Sequence, residues 1–552
     1  MSRGAALRTV DVLETRTAFM RGATDRAERL RACAARSIHA ARTLREWHEL
    51  LLFVVAHPCD ESTHAFASVE LQRMRDRALR VVPHGLINTG LSGAAVEASY
   101  SLEFVRWLLH RWPNAVSLAS VDADVETVRE VLRTLLLPVE IEAADLLDGS
   151  SDDMLAAVFG AARTTQLAQL VARLDQIAAS DAVRDGLFAR LGVFVRVAET
   201  AGCALTAVRA PTRAPYCHEG ALRRQVDVPA IVAESPHAPV PLSPSVRHAL
   251  IETARTVLAA MQRETDPVTH ASDVTLHDMG RGLRIALFSL DLARRLPFDS
   301  YVGFMAFRNG VPLAYGGAWI FPRRSKIGIN VMPSQRGGES AWFFAQLLRL
   351  YHHQFGVTRF EAENYQLGHD NPDGLKSGAY WFYYRAGFRP TTAPLQRIAA
   401  REANRLAQKR SYVVPRPRLR ALVAAGLELR LGIAAHDTES AEPIDTAALT
   451  RRVLQHVVRA YAGDRARAQT SAVHRLQRAL GIDADTLTNR ERAACQLWAL
   501  PLDLVPDLHA WPAAERRRLH SIVRAKGAPN EQRHQRLLAR LPRLLEAWHA
   551  SR

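Results

Sequence analysis

The sequence predicts a mixed α/β domain set between two predominantly helical regions. Three observations carry that expectation. Residues 4–48 and 97–206 space their apolar residues at helical intervals; from about 300 the texture changes to β-rich runs around a glycine turn; and beyond about 396 the chain returns to arginine-rich helical periodicity. At 552 residues the chain exceeds one ordinary core, and with 48% hydrophobic and 23% charged residues it excludes wholesale disorder.

The elements follow in order. Residues 1–206 read as a mainly helical N-terminal region. Residues 207–246 hold Pro211, Pro215, Pro229, Pro236, Pro239, Pro241 and Pro244, which forbid a long helix and predict a linker or an irregular crossing segment. A domain over 247–395 opens with a helix near 245–262. Its "YVGFMAFRNGVPLAYGGAWIF" is a hairpin turning at Asn309-Gly310, a dipeptide suited to positive φ at both turn centres. "SKIGINVM" (325–332) is a third strand, "AWFFAQLLRLYHHQF" a helix, "VTRFEAENYQ" (357–366) a fourth strand, "GAYWFYYRAG" a second helix and "FRPTTAPL" a final strand. Residues 396–552 form a basic helical region, clearest in "ERRRLHSIVRAKG" and "HQRLLARLPRLLEAWHA".

The formal net charge of +16 is uneven: residues 391–552 carry 28 lysines and arginines against 15 acids, a net +13. A basic face of this kind suits a solvated helical surface or an anionic macromolecular partner. Cys33, Cys59, Cys203, Cys217 and Cys495 lie far apart without a CxxC pair, which argues for reduced thiols rather than a disulfide framework or a thiolate zinc site. No opening segment has the pattern of a secretory leader, and "LLLFVVA" at 50–56 is far too short to span a membrane. The expectation is a cytoplasmic protein without membrane insertion.

A strand running through Val331 into "QRGGES" and then a helix leaves unpaired backbone N–H groups at a helix start, where glycines let an anion approach closely. In this stretch Val331, Pro333, Arg336, Gly337 and Ala341 fall on V-x-P-x-x-R-G-x-G-x-G/A, with Glu339 in place of the second glycine. A register from Gln335 instead puts Gly338 and Ser340 in the small-residue places. Downstream, "AYWFYYRAGF" supplies Ala379, Phe382, Tyr383, Arg385, Gly387 and Phe388 on A-x-x-L-Y-x-K-x-G-F, with Lys376 where an asparagine often precedes. With these two motifs the central domain resembles the GNAT-type N-acetyltransferases, and the whole chain resembles uncharacterised bacterial proteins carrying such a module. The resemblance implies acetyl-CoA or another acyl-CoA as co-substrate, with no metal. It also implies a mixed sheet whose strands at 325–332 and 357–366 splay to admit pantetheine, and a pyrophosphate resting on the N–H groups of 336–341.

Acyl transfer from a thioester to an amine needs a route for the amine proton and an acid for the thiolate. Tyr383 stands at the family's tyrosine position and is the expected acid. Glu363, which shares one side of the fourth strand with Glu361, is the expected base. The long loop "QLGHDNPDGLKSG", with His369 and Asp370, could close over a substrate. The acceptor amine is not readable.

Two rival readings stand beside this one. The module could be a degenerate acyl-CoA binder in a helical scaffold whose basic tail engages an anionic partner. Alternatively, "HPCDE" at 57–61 resembles the opening of zinc-dependent sugar N-deacetylases, although no H-x-x-H accompanies it. The plainer reading is that His57-Pro58 ends one helix and Asp60 to Thr63 caps the next.

Overall fold

The computed structural model describes residues 6–81, 86–144, 149–212, 214–409, 411–431 and 444–550. The helical expectation at residues 4–5, 145–148 and 432–443 lies outside them. Eleven strands are described: β1 (Val96–Ser99), β2 (Val116–Val121), β3 (Val193–Val197), β4 (Ala271–Gly280), β5 (Leu283–Leu290), β6 (Ser300–Arg308), β7 (Val311–Phe321), β8 (Arg324–Val331), β9 (Arg359–Ala362), β10 (Arg389–Pro390) and β11 (Leu427–Arg430). They form a mixed sheet of order β10-β11-β9-β8-β7-β6-β5-β4 and a small antiparallel sheet of order β1-β3-β2.

The large sheet is built by tight turns. β6 and β7 are joined by Asn309 (φ 47°) and Gly310 (φ 79°), the expected positive-φ pair. β4 and β5 are joined in the same way by Arg281 (φ 53°) and Gly282 (φ 72°), a hairpin that sequence reading missed because arginine is a poor left-handed residue. β8 and β9 are parallel and bridged by the helix Ser340–Phe355. That helix buries Trp342, Phe343, Phe344, Leu347, Leu348, Leu350 and Tyr351 between the sheet and the short helix Val228–Ala233.

Several expectations need correction. The fourth strand stops at Ala362, because Glu363 becomes the N-cap of the short helix Asn364–Leu367. The final strand shrinks to Arg389–Pro390, and "APL" instead starts the helix Ala393–Gln408, with a proline in its first turn. The 396–552 region is not wholly helical, since β11 inserts between β9 and β10, pairing Leu427 with Ala362 and Arg430 with Arg359. The N-terminal region likewise holds the three strands of the small sheet.

The described residues between 202 and 227 are irregular, as their prolines require, yet this stretch is a crossing strap rather than a free linker. The Ala210 N–H donates to the Gly310 carbonyl, that of His218 to Pro58 and that of Leu222 to Met20. The helix Ala41–Ala56, whose residues from Leu50 to Ala56 are all buried, packs its C-terminal half against this strap and the end of the sheet. At the opposite end, Arg295 donates to the carbonyls of Lys526, Ala528 and Pro529, fixing the C-terminal helices to the sheet.

Asn309 joins three of these parts. Its Nδ2 donates to the Ala56 and Tyr216 carbonyls, and its Oδ1 accepts from the Tyr216 N–H. Asn309→Ala leaves these buried groups unmatched and puts a Cβ-bearing apolar residue at positive φ, so it is expected to cost about 3 kcal/mol. The shift of the urea midpoint at unchanged slope measures it; a loss under about 1 kcal/mol would refute the role given to this side chain.

Candidate functional site

The parallel pair at the centre of the sheet is short. β8 and β9 are paired only at Arg324–Arg359, Ser325–Phe360 and Lys326–Glu361, and residues 327–331 of β8 continue without β9 beside them. Past the fork three contacts cross the gap. Lys326 Nζ lies 2.8 Å from Glu363 Oε1; the Gln366 amide lies over Gly328, where a Cβ would come within 2.9 Å of Nε2; and Tyr383 reaches the backbone of Ile329. Residues 328, 329 and 331 stay part-exposed and Asn330 is exposed, so this half of the β8 edge is open.

Tyr383 sits on the helix Ala379–Arg385 with 2% of its surface exposed, its ring among Phe344, Phe382 and Phe388. Burial pushes its hydroxyl pKa up, partly offset by the Ile329 backbone, and the hydroxyl has no well-formed hydrogen-bond partner among the described residues. Glu363 is less committed to the interior. Its side chain is 54% exposed, and its carboxylate pairs with Lys326 at the mouth of the fork. Glu361, by contrast, is drawn to Arg359 and Arg324.

Val331 closes β8, and Pro333–Gln335 make one helical turn before the glycines. Gln335 is buried, its Nε2 directed to the Leu52 carbonyl. Arg336 and Gly337 are exposed, and Gly337 takes φ 80°. Gly338 is buried beneath Phe53 and His57, where a Cβ would meet both rings at 3.2–3.3 Å, a close approach that favours glycine. Ser340 and Ala341 open the helix and are part-exposed. The amides of Gly337, Glu339, Ser340 and Ala341 donate to no acceptor among the described residues. The N-terminal region grips the other side of the loop: Arg16 Nη2 donates to the carbonyls of Pro333, Ser334 and Arg336.

Glu339, which interrupts the glycine pattern, turns its carboxylate away from this helix start. It is buried against Arg281 (2.6 Å) and Arg308 (3.1 Å) and accepts from the Arg223 N–H. Burial acts to raise the Glu339 carboxyl, but the two guanidinium groups and the N–H overcome it and hold the pKa below the usual range. Arg308 is pulled down to about 10 by burial, with Glu339 opposing. Both guanidinium groups lie over the Trp342 ring. His57 and His218 complete the cluster, their ring centroids 5.1 Å apart. Burial and then the Arg308 charge push both down, His218 to about 3, so both are neutral at ordinary pH.

Of this cluster, sequence reading singled out Glu339 and His57 alone. Arg308, Arg281 and His218 were missed; the available signal was an arginine flanking or entering each tight turn, where the alternating strand pattern points inward. The "HPCDE" motif is a helix boundary as expected. His57 ends the helix Ala41–Ala56, and Asp60 accepts from the Thr63 N–H to start the next. Among the described residues no group of three His, Cys, Asp or Glu side chains could hold a metal ion, and the five cysteines are free.

The fold and fork define a mixed α/β protein whose eight-stranded sheet opens at its one parallel pair. Comparison of the chain with known protein families, with curated proteins and with solved structures finds no match.

The histidines set a pH dependence. Their folded-state pKa lies below the unfolded value of about 6.5, so as pH falls the unfolded chain protonates first; stability is full above that value and is lost below it, down to the folded pKa. Each contributes about 1.4 kcal/mol per pH unit over that window. His48, His277 and His534 act in the same direction, so the test is a difference. Urea midpoints at pH 7.5 and 5.5 should converge more in His218→Leu than in the parent. Equal pH slopes would refute the neutral buried state of His218.

Proposed function

We propose that the protein is an acyl-CoA-dependent N-acyltransferase that transfers an acyl group, acetyl in the simplest case, from a CoA thioester to an amine. The observation that carries this reading is the fork: an open edge of β8 over residues 327–331, with the buried Tyr383 hydroxyl against it. An open strand edge supplies backbone donors and acceptors to an extended amide-containing chain such as pantetheine. The unoccupied amides of Gly337, Glu339, Ser340 and Ala341 lie at the far end of the same strand, where the helix dipole favours a diphosphate. Glu339 does not oppose this, because its charge is neutralised by Arg281 and Arg308 behind the helix start.

In this mechanism the amine nitrogen attacks the thioester carbonyl carbon, the C–N bond forms and the C–S bond breaks. The amine proton goes to Glu363, directly or through water, and the thiolate leaves toward Tyr383. A hydroxyl with a raised pKa is a weaker acid than a thiol of about 8.5, so full proton transfer from Tyr383 would be uphill. Its role is a hydrogen bond to the developing thiolate, strengthened by burial, with the proton finally drawn from solvent. The Lys326 contact holds the Glu363 carboxylate at the mouth of the fork, where it would meet the amine.

A second reading, a scaffold with a non-catalytic module and a basic tail for an anionic partner, draws on the grip of Arg16 on the loop carbonyls and the burial of Gln335. The tail's charge is partly internal: Lys526 is fully buried against Glu531, and Arg524 and Arg543 pair with Glu491 and Glu515. Among the described residues no helix is long and apolar enough to cross a membrane.

Calorimetric titration with acetyl-CoA and CoA is the decisive measurement. Micromolar binding, about −8 kcal/mol, is expected, and Arg336→Glu with Gly337→Val should weaken it at least about tenfold while the thermal transition persists. No heat from either ligand, with an orthogonal assay agreeing, would sink the coenzyme reading. Tyr383→Phe keeps the aromatic packing, so CoA affinity should hold within about twofold while turnover on a responsive amine falls about tenfold or more. Unchanged turnover would remove Tyr383 from the chemistry.

A further inference from the structure

The short helix Asn364–Leu367 that follows β9 brings a carboxamide to the fork. Glu363 is its N-cap and Gln366 its third residue, the position from which a glutamine commonly reaches back to the N-cap amide. No side-chain cap bond is formed here. The Gln366 side chain instead lies across Gly328 on the open stretch of β8, where a Cβ would come within 2.9 Å of Nε2, 3.1 Å of Cδ and 3.4 Å of Oε1. The missing side chain at 328 is what lets the carboxamide rest against the strand. Gln366 is part-exposed, and its carboxamide makes no hydrogen bond among the described residues.

Three side chains thus meet the free edge of β8 in a fixed order. Glu363 stands at residue 326 through its contact with Lys326, the Gln366 carboxamide at 328 and Tyr383 at 329. At about 3.3 Å per residue, the carboxamide is about 7 Å along the strand from Lys326 and about 3 Å from Ile329. Lys326 and Gly328 share one face of the strand, so Glu363 and Gln366 approach β8 from the same side. Acyl transfer needs that order, because the carbonyl carbon lies between the attacking nitrogen and the departing sulfur. With a base at one end and a donor to the thiolate at the other, the group between them is placed for the carbonyl oxygen. Glu363 and Tyr383 leave that oxygen without a donor.

We propose that Gln366 is a further catalytic residue, whose Nε2–H donates to the thioester carbonyl oxygen as negative charge develops there. The assignment rests on the acyltransferase reading. When the amine lone pair forms the C–N bond, the C=O π pair moves onto oxygen, and the carboxamide hydrogen bond to that oxygen strengthens. Collapse returns the pair to C=O, breaks the C–S bond and sends the thiolate toward Tyr383, while the amine proton passes to Glu363. The carboxamide stays neutral and neither gains nor loses a proton, so it acts by its position as a donor.

The test uses the full chain and acetyl-CoA isotope-labelled at the acetyl carbonyl carbon, read by carbon NMR. A hydrogen bond to the oxygen draws electron density from that carbon, so its signal should move downfield on binding. Gln366→Leu, which keeps the bulk without a donor, and Gln366→Glu, whose carboxylate cannot donate, should each return the signal toward the free position, while calorimetric affinity for acetyl-CoA holds within about threefold. Gly328→Ala, whose Cβ would take the space of the carboxamide, should do the same with Gln366 still present. On a responsive amine the two Gln366 variants should lower kcat about 100-fold with the KM for acetyl-CoA within about twofold, the loss typical of one oxyanion donor. A bound carbonyl signal that is the same in the parent and in both Gln366 variants would overturn the role of Gln366 and leave the transferase reading standing. No heat with acetyl-CoA or CoA would overturn both.

Discussion

The structure depends on one buried carboxylate. Glu339 sits where β8 has ended and the Ser340–Phe355 helix begins, and it is held by Arg281 from one hairpin tip and Arg308 from another. Bringing these charges out of water costs more than a loose pairing could return, so the arrangement is stable only with short contacts and further hydrogen bonds. Those bonds come from all around: Arg308 also donates to the Arg281 carbonyl, Arg281 to the Tyr216 hydroxyl, and the Arg223 amide to Glu339. The cluster therefore links two turns, the irregular strap and the central helix into one unit. The helix Ala41–Ala56 joins it through His57 and through the Asn309 bond to Ala56.

This arrangement borders the candidate site. It pairs the Glu339 carboxylate with Arg281 and Arg308, while the amides of Gly337, Glu339, Ser340 and Ala341 donate to no acceptor among the described residues. At the exit of β8, residues 327–331 have β7 as their only strand neighbour, with Gln366 and Tyr383 touching the other side. Tyr383, whose hydroxyl lies against the Ile329 backbone, and Tyr380 are both buried on one seven-residue helix beside the open strand. The chemistry proposed here follows from where the Tyr383 hydroxyl lies rather than from the loop motif alone.

Legibility in the sequence followed the range of the interaction. The Asn309-Gly310 hairpin, the Asp60 cap and the helix from 340 to 355 are local: each is specified by backbone preference or apolar period within a few residues. β4 and β5 escaped because their turn uses arginine at positive φ, a conformation held by the tertiary anchor on Glu339. β11 escaped because its four residues pair with a strand far away in the chain, and so short a run has no period of its own.

The sequence by itself determined the alternation of helical and mixed α/β segments, the glycine turn before the helix and the tyrosine-bearing helix, because propensity and periodicity act over a few residues. Only the tertiary structure decided that β8 and β9 part after three pairs, that Glu363 leaves its strand for a helix start beside Lys326, and that Glu339 faces a pair of arginines. Those outcomes rest on charges and strand edges meeting across long stretches of chain, where the balance between desolvation and pairing depends on geometry that no local pattern encodes.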